Sequence, residues 1–147
     1  MKKVKRFIIL LAVSLSLYVL SIPTSARQFE YPANNEKSFA NENAFYQQMN
    51  KKDYMEYKDA AYSVRKKMSY KEIPDALLTF EKKTGNYSGQ PKQELATSIH
   101  PDRQVYFLAS FVQTKNKEYW KHTIIDAETQ RPLEGGNSYH SYDNPYR

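Results

Sequence analysis

Residues 42–70 carry apolar side chains at helical spacing. Steps of three and four residues separate Tyr54, Tyr57, Ala61, Val64 and Met68, and the basic residues of the stretch fall largely outside that stripe. Such spacing aligns apolar groups along one side of an α-helix. We predict a helix over 42–70 with Asn43 as its N-cap. Alternatively, residues 50–53 interrupt it, and Asp53 caps a second helix.

A second, shorter helix is predicted from residue 73. Its apolar face consists of Ile73, Ala76, Leu77 and Phe80. Pro74 suits the first turn, where its missing N–H costs nothing. Gly85 suits the position that ends a helix in a left-handed conformation.

Alternation with a period of two follows in three stretches, which we predict to be strands over 94–99, 105–113 and 118–126. The second stretch is apolar on both faces, which indicates a central strand. Residues 100–103 and 115–116 have the composition of turns. The expected core contains Leu77, Phe80, Phe107, Ala109, Phe111, Ile124 and Leu133.

The two ends of the chain have other patterns. Four of residues 2–6 are basic, the next 14 residues are mostly apolar, and Thr24-Ser25-Ala26 supplies small residues for a cleavage site. This pattern is typical of a secretory signal peptide over 1–26, and its apolar run is shorter than the roughly 20 residues of a membrane span. The alternative is an uncleaved anchor. We predict a disordered linker over 27–41 and a flexible tail over 135–147. The alternative for the tail is a partner-binding strip formed by Tyr139, Tyr142 and Tyr146.

Charge and cysteine content narrow the function classes. The net charge is +6, but four of the 22 Lys and Arg residues and none of the 16 acids lie in the signal, so the remaining 121 residues carry +2. That value is low for a dedicated nucleic-acid binder, and we expect no nucleic-acid partner. The chain has no cysteine, so disulfides and thiolate metal sites are excluded.

Catalytic motifs are not apparent in the sequence. The histidines at 100, 122 and 140 do not match a metal-binding spacing, and four glycines are too few for a phosphate loop. We expect no cofactor, no metal and no catalytic residues. The sharpest alternative is a small secreted hydrolase that uses His122 with a nearby Glu and Arg.

The segment Trp120-Lys-His-Thr-Ile-Ile-Asp-Ala-Glu-Thr-Gln-Arg-Pro-Leu133 resembles the end of a PepSY-type domain, in which a strand runs into an Asp-Ala-x-Thr-Gly turn. The helix over 73–84 and the strand over 106–112 stand in that family's order. Gln130 replaces the family's usual glycine. The resemblance covers about residues 73–133 and implies a secreted or membrane-anchored module without catalytic residues, of a kind thought to restrain peptidases.

We therefore expect one α+β domain over 42–134, PepSY-like or cystatin-like, with its N-terminal helices on one face of a small antiparallel sheet. The expected function is a secreted or envelope-associated, non-catalytic binding module, with an extracellular peptidase as a candidate partner. Its candidate surface is the sheet face opposite the helices, which carries Tyr106, Tyr119 and Lys121. The alternative is an envelope protein that binds anionic wall polymer by charge through Lys51, Lys52, Arg65, Lys66 and Lys67.

Overall fold

The computed structural model describes residues 28–86, 89 and 93–142, so the predicted signal peptide and Tyr146 lie outside the described residues. Two helices accompany a four-stranded antiparallel sheet of order β1-β2-β3-β4, which confirms the α+β class. The elements are α1 (Glu42–Gln48), β1 (Tyr62–Ser69), a 3₁₀ turn (Tyr70–Glu72), α2 (Ile73–Thr84), β2 (Gln104–Gln113), β3 (Lys117–Asp126) and β4 (Pro132–Ser141). None of the helices in this part of the chain is both long and apolar enough to span a membrane.

Helix α2 forms where its pattern predicts it. Pro74 stands in its first turn, and Gly85 ends it with a φ of 74°, a conformation that glycine adopts without strain. Ile73, Leu77 and Phe80 are buried against the sheet. The surface of the sheet that they cover is called the α2 face.

The hairpin of β2 and β3 confirms the two strongest strand predictions. Phe107 and Phe111 of β2 lie beside Ile124 and Trp120 of β3 on the α2 face. All the expected core residues belong to this layer, six of them buried and Leu133 partly buried. Strand β2 is buried on both faces along most of its length, as expected for a central strand.

The prediction of helix over 42–70 was wrong beyond residue 48. Residues 62–69 form β1, which pairs antiparallel with β2 over eight residues. Tyr62, Val64 and Met68 satisfy a period of two as well as the helical steps, and pairing with β2 decides between them. The N-cap of α1 is Asn41 rather than Asn43, and its side chain accepts a hydrogen bond from the Ala44 N–H at 2.9 Å.

A strand over 94–99 was also expected and is not formed. In the described residues 93–99, only Ile99 takes part in β pairing, through an isolated parallel bridge with Tyr31. Leu95 and Ile99 nevertheless pack against the α2-face core. The alternation of apolar and polar residues in this stretch therefore reflects the burial of Leu95 and Ile99 in a loop and not the pairing of a strand.

The N-terminal segment covers the second face of the sheet, so the expectation of helices on one face only is corrected. Phe45, Met49 and Tyr54 form a second buried cluster with Tyr106, Leu108 and Ile125. This surface of the sheet is called the N-terminal face. The sheet is thus the middle of three layers, with α2 on one side and residues 39–57 on the other.

Residues 28–41 are fixed to the sheet, which corrects the prediction of a disordered linker. Asn34 is buried, and its side-chain oxygen accepts a hydrogen bond from the Gln104 N–H at 2.7 Å. The Pro32 carbonyl accepts a hydrogen bond from Arg103 at 2.8 Å. The sequence of this segment is polar because its bonds are to backbone and charged groups rather than to a core.

Residues 135–141 belong to β4, so the prediction of a flexible tail was wrong for them. Strand β4 pairs antiparallel with β3, with a register shift at Ile124 and Ile125. Side-chain periodicity does not reveal this strand, because its residues from Gly135 onward are small, polar or exposed. Backbone hydrogen bonds to β3 supply its stability.

Candidate binding surface

Tyr106 does not lie on a surface, contrary to the prediction. Its side chain is 1 % exposed, and its ring stacks on Phe45 with centroids 3.8 Å apart. Its hydroxyl donates a hydrogen bond to the Ala40 carbonyl at 2.7 Å. The reason is the N-terminal segment, which covers this part of the face. Tyr106 is therefore a structural residue and is removed from the candidate surface.

The five basic residues predicted to bind a polymer do not form one patch. Arg65 makes two hydrogen bonds to the Glu56 carboxylate, at 2.6 and 2.8 Å. Lys67 donates to the Phe39 carbonyl at 3.0 Å. Lys66 lies on the other side of β1 and lines a cleft of about 330 Å³ beside α2. Strand alternation therefore divides the group between two faces.

Lys51, Lys52 and Lys121 do come together, at a groove of about 530 Å³ on the N-terminal face. The loop of residues 51–55 forms one wall, and β3 and β4 form the floor. We call it the lysine groove. Two of its lysines come from the polymer-binding prediction and one from the sheet-face prediction, so the fold combines residues that the sequence assigned to different functions.

Tyrosine rings hold the Lys121 side chain in place. Its Nζ lies 3.9 Å from the centroid of the Tyr57 ring and 5.6 Å from that of Tyr54. Partial burial lowers the pKa of Lys121, while the Glu56 carboxylate acts in the opposite direction. An ammonium group that has lost part of its hydration gains more from an added anion than a fully hydrated one does.

Gly135 keeps the floor of the lysine groove low, and Gly136 leaves room for His122 on the opposite face of the sheet. A Cβ atom on Gly135 would stand 3.1 Å from the His122 carbonyl oxygen and 3.5 Å from Thr123 Oγ1. A Cβ atom on Gly136 would stand 3.1 Å from the His122 ring. The groove therefore depends on the absence of a side chain at Gly135, and the close approach of β4 to β3 depends on its absence at both positions.

A row of tyrosines continues from the groove to the edge of the sheet. The Tyr119 ring lies 6.3 Å from Tyr57 on one side and 6.3 Å from Tyr139 on the other. Tyr119 is half-buried, whereas Tyr139 is 72 % exposed. The predicted surface residues Tyr119 and Lys121 therefore share one surface, and Tyr139 extends it outward.

The outer edge of β4 carries backbone groups that no other described strand pairs with. The Tyr142 N–H donates to the Asn116 carbonyl, so its backbone points toward the β2–β3 turn. By the alternation of an antiparallel ladder, the N–H and C=O groups of Gly135, Asn137 and Tyr139 point away from β3. Among the described residues, β4 pairs with β3 alone. This outer side of β4 is called the open edge.

From Gly135 onward, the open edge also lacks the usual guards against pairing, which β4 carries only at Pro132 and Glu134. Residues 135–142 contain no Lys, Arg, Asp, Glu or Pro. The opposite edge of the sheet, β1, carries Arg65, Lys66 and Lys67. Charged residues and proline are the common means by which an edge strand avoids a further strand. Within the part of the chain that the structure describes, the β4 edge from Gly135 onward carries none of these guards, whereas the β1 edge carries three charges.

His122 lies on the α2 face, at a cleft of about 210 Å³ shared with Trp120 and Asn86. Burial lowers the pKa of His122, against a weaker effect of Glu134. The Glu134 carboxylate accepts hydrogen bonds from the Tyr70 hydroxyl and from Gln93. Within the described part of the chain, no cluster of three or more metal-ligating side chains occurs.

The open edge was missed because its signal is backbone pairing, which leaves little trace in the side chains. The tyrosine strip of residues 139 and 142 was the one available sign. Comparison of the chain with protein-family models, with curated proteins and with solved structures gave no match.

Proposed function

We propose that this protein is a secreted, non-catalytic binding module that takes up an extended segment of a partner protein at the open edge of β4. The observation that carries the proposal is the unguarded edge, whose outward N–H and C=O groups adjoin the exposed ring of Tyr139. Strand addition derives its affinity from such main-chain groups and its selectivity from neighbouring side-chain pockets. The lysine groove and the tyrosine row would provide those pockets.

The PepSY-like identity is part of this proposal, and the turn after β3 supports it. Asp126 accepts a hydrogen bond from the Thr129 N–H at 2.7 Å, so the Asp-Ala-x-Thr residues close the turn on themselves. Gln130, at the family's glycine position, has a φ of 58°, which is in the region that glycine favours. This resemblance to PepSY-type domains suggests an extracellular peptidase as the class of partner.

Selection of a random octapeptide library on the immobilised full chain tests strand addition. We expect enriched peptides whose binding is abolished by N-methylation at alternate backbone nitrogens, because only every second amide of an added strand bonds to β4. Loss of binding at consecutive positions, or at none, would contradict the proposal.

Two variants at one position provide the matched control. Asn137→Pro removes an outward N–H without touching the bonds to β3, so peptide binding should fall at least tenfold. Asn137→Thr keeps that N–H and should bind as the wild type does. Equal binding by both variants would place the peptide elsewhere, provided that circular dichroism shows both to be folded.

Charge-driven binding of anionic wall polymer is the second candidate function. Arg65 and Lys67 already have partners, and Lys51 donates to the Tyr46 carbonyl, so this function would depend mainly on Lys52 and Lys121. Such binding weakens steeply between low and physiological salt, whereas strand addition keeps most of its affinity. Sedimentation with purified wall material at two salt concentrations separates the two functions.

A hydrolase is the third candidate, and an RNA cleavage assay tests it. The proposal predicts that the wild type and His122→Ala give the same background rate. Turnover by the wild type that the His122→Ala variant lacks would replace the binding-module proposal with an enzymatic one.

A further inference from the structure

We infer that the lysine groove selects an acidic side chain in the segment that pairs with β4. This inference rests on the proposed function, since it gives the chemistry of the segment that strand addition would bind. The open edge by itself recognises main chain, which every peptide has. The lysine groove beside the open edge would distinguish one peptide segment from another by its side chains.

Register brings the groove within reach of the added strand. Lys121 pairs directly with Asn137, whose backbone faces the open edge. A strand added to β4 would lie about 4.8 Å farther out, so its residue opposite Asn137 would be about 10 Å from the Lys121 backbone. That residue directs its side chain to the N-terminal face, as Asn137 does. A lysine and a glutamate side chain together span this separation.

The charges around the groove favour an anion. Lys51, Lys52 and Lys121 line it, with Asp53 as the one acid among its lining residues. Glu56, which acts on both Lys51 and Lys121, is held by the Arg65 guanidinium. The balance at the groove is therefore positive. A carboxylate entering from the edge would meet the ammonium groups of Lys52 and Lys121, whereas that of Lys51 donates to the Tyr46 carbonyl.

A second copy of this chain fits the edge less well. Antiparallel pairing of β4 with its own copy places a two-fold axis through the edge and keeps both N-terminal faces on the same side. The two lysine grooves would then lie on one surface on either side of the new strand pair. Like charges so arranged repel, so the occupant is an acidic segment of a different protein.

Three fluorescein-labelled octapeptides test the inference, each alternating Thr and Val and differing in one central Thr position that holds Glu, Gln or Lys. Binding to the full chain is followed by fluorescence anisotropy. We expect the Glu peptide to bind about five- to tenfold more tightly than the Gln peptide, and the Lys peptide to bind most weakly. The preference for the Glu peptide should be smaller in about 0.5 M salt, because salt screens the attraction between partly exposed charges.

Variants locate the preference. Lys121→Gln combined with Lys52→Gln should remove the advantage of the Glu peptide and leave the Gln peptide unchanged. Lys66→Gln is the matched control, because Lys66 is an exposed lysine on the other side of the sheet. The Lys66→Gln variant should still bind the Glu peptide more tightly than the Gln peptide.

The outcomes separate the inference from the function on which it rests. Equal binding of the three peptides, sensitive to Asn137→Pro, would support strand addition and overturn acidic selection. A Glu preference that Asn137→Pro leaves intact would show anion binding without strand addition and would overturn both. Absence of binding by all three, with the protein folded, would likewise overturn both.

Discussion

The Arg103 guanidinium and the Asp126 carboxylate form a bidentate ion pair between β2 and β3, with Nε 2.7 Å from Oδ1 and Nη2 2.9 Å from Oδ2. The two side chains are 4 % and 0 % exposed. Arg103 also contacts Glu128 at 2.9 Å and the Pro32 carbonyl. One buried pair therefore joins the hairpin, the turn after β3 and the N-terminal segment.

Removal of one member of this pair should be strongly destabilising. Asp126→Asn leaves the buried guanidinium with only the partly exposed Glu128 carboxylate as its counter-charge, and we expect a loss of about 3 kcal/mol in the free energy of unfolding. Urea denaturation followed by circular dichroism measures it. Asp102→Asn, which disrupts an exposed pair with Lys71, is the control and should change stability little. Similar losses in the two variants would contradict the role assigned to the buried pair.

The same pair predicts acid sensitivity. Burial alone would raise the pKa of Asp126, but hydrogen bonds from Arg103 and Thr129 outweigh it and the net pKa is lowered. A lowered folded-state pKa stabilises the protein above the unfolded value of about 3.9, and this contribution is lost as pH falls through the folded-state pKa. The stability difference between wild type and Asp126→Asn should therefore shrink below about pH 4. Denaturation curves from pH 7 to pH 2 test this, and a constant difference would contradict it.

Gln130 offers a stabilising substitution. Its φ of 58° is unfavourable for a residue with a Cβ atom. Gln130→Gly relieves that cost but adds freedom to the unfolded chain, so we expect a net gain of up to about 1 kcal/mol. Gln130→Val should instead destabilise, because a β-branched residue tolerates this conformation poorly. Thermal unfolding of both variants measures the effect, and the reverse order would contradict the conformation of the turn.

The stacking of Phe45 on Tyr106 attaches the N-terminal layer to the sheet. Phe45 is 4 % exposed, and Phe45→Ala should cost about 3–5 kcal/mol by loss of buried apolar surface and creation of a cavity. Gln47→Ala on the exposed side of the same helix is the control and should be nearly neutral. Urea denaturation compares them. A near-neutral Phe45→Ala would show that this layer adds little to the fold.

The titration of His122 provides a test of its burial. Burial lowers the pKa of His122 below the ordinary value of about 6.5. The unfolded chain then binds the proton more readily, so this residue reduces stability as pH falls from about 6.5 through its folded-state pKa. NMR titration of the imidazole proton gives the pKa directly, and a value above 6.5 would contradict the burial.

The sequence was informative where side chains alone decide the structure. Helix α2 was predicted because its apolar spacing, Pro74 and Gly85 agree with one another, and β2 and β3 because their alternation is strong. The helix prediction over residues 54–68 was wrong because Tyr62, Val64 and Met68 fit both a helical and a strand period. Lys66 also interrupts the apolar alternation expected of a strand. The choice was made by long-range pairing with β2, which no local window contains.

The candidate site was less predictable than the fold. Alternation correctly placed Tyr106, Tyr119 and Lys121 on one face, but the expectation that no helix covers that face was wrong. The cover over Tyr106 comes from Phe45, some 60 residues earlier, and no local pattern shows where that residue packs. The open edge depends on backbone groups of Asn137 and Tyr139, and their direction follows from the register with β3.

The three-layer arrangement has a consequence for the order in which the chain folds. Strands β2, β3 and β4 follow one another through short turns, whereas the bonds that join the N-terminal segment to Tyr106 and to Glu128 connect residues 66 and 94 positions apart. Contacts that close long loops form later than contacts between neighbours. The N-terminal segment leaves the ribosome before the sheet and must thus wait longest for its partners, and the second buried cluster stays incomplete until β3 has been synthesised.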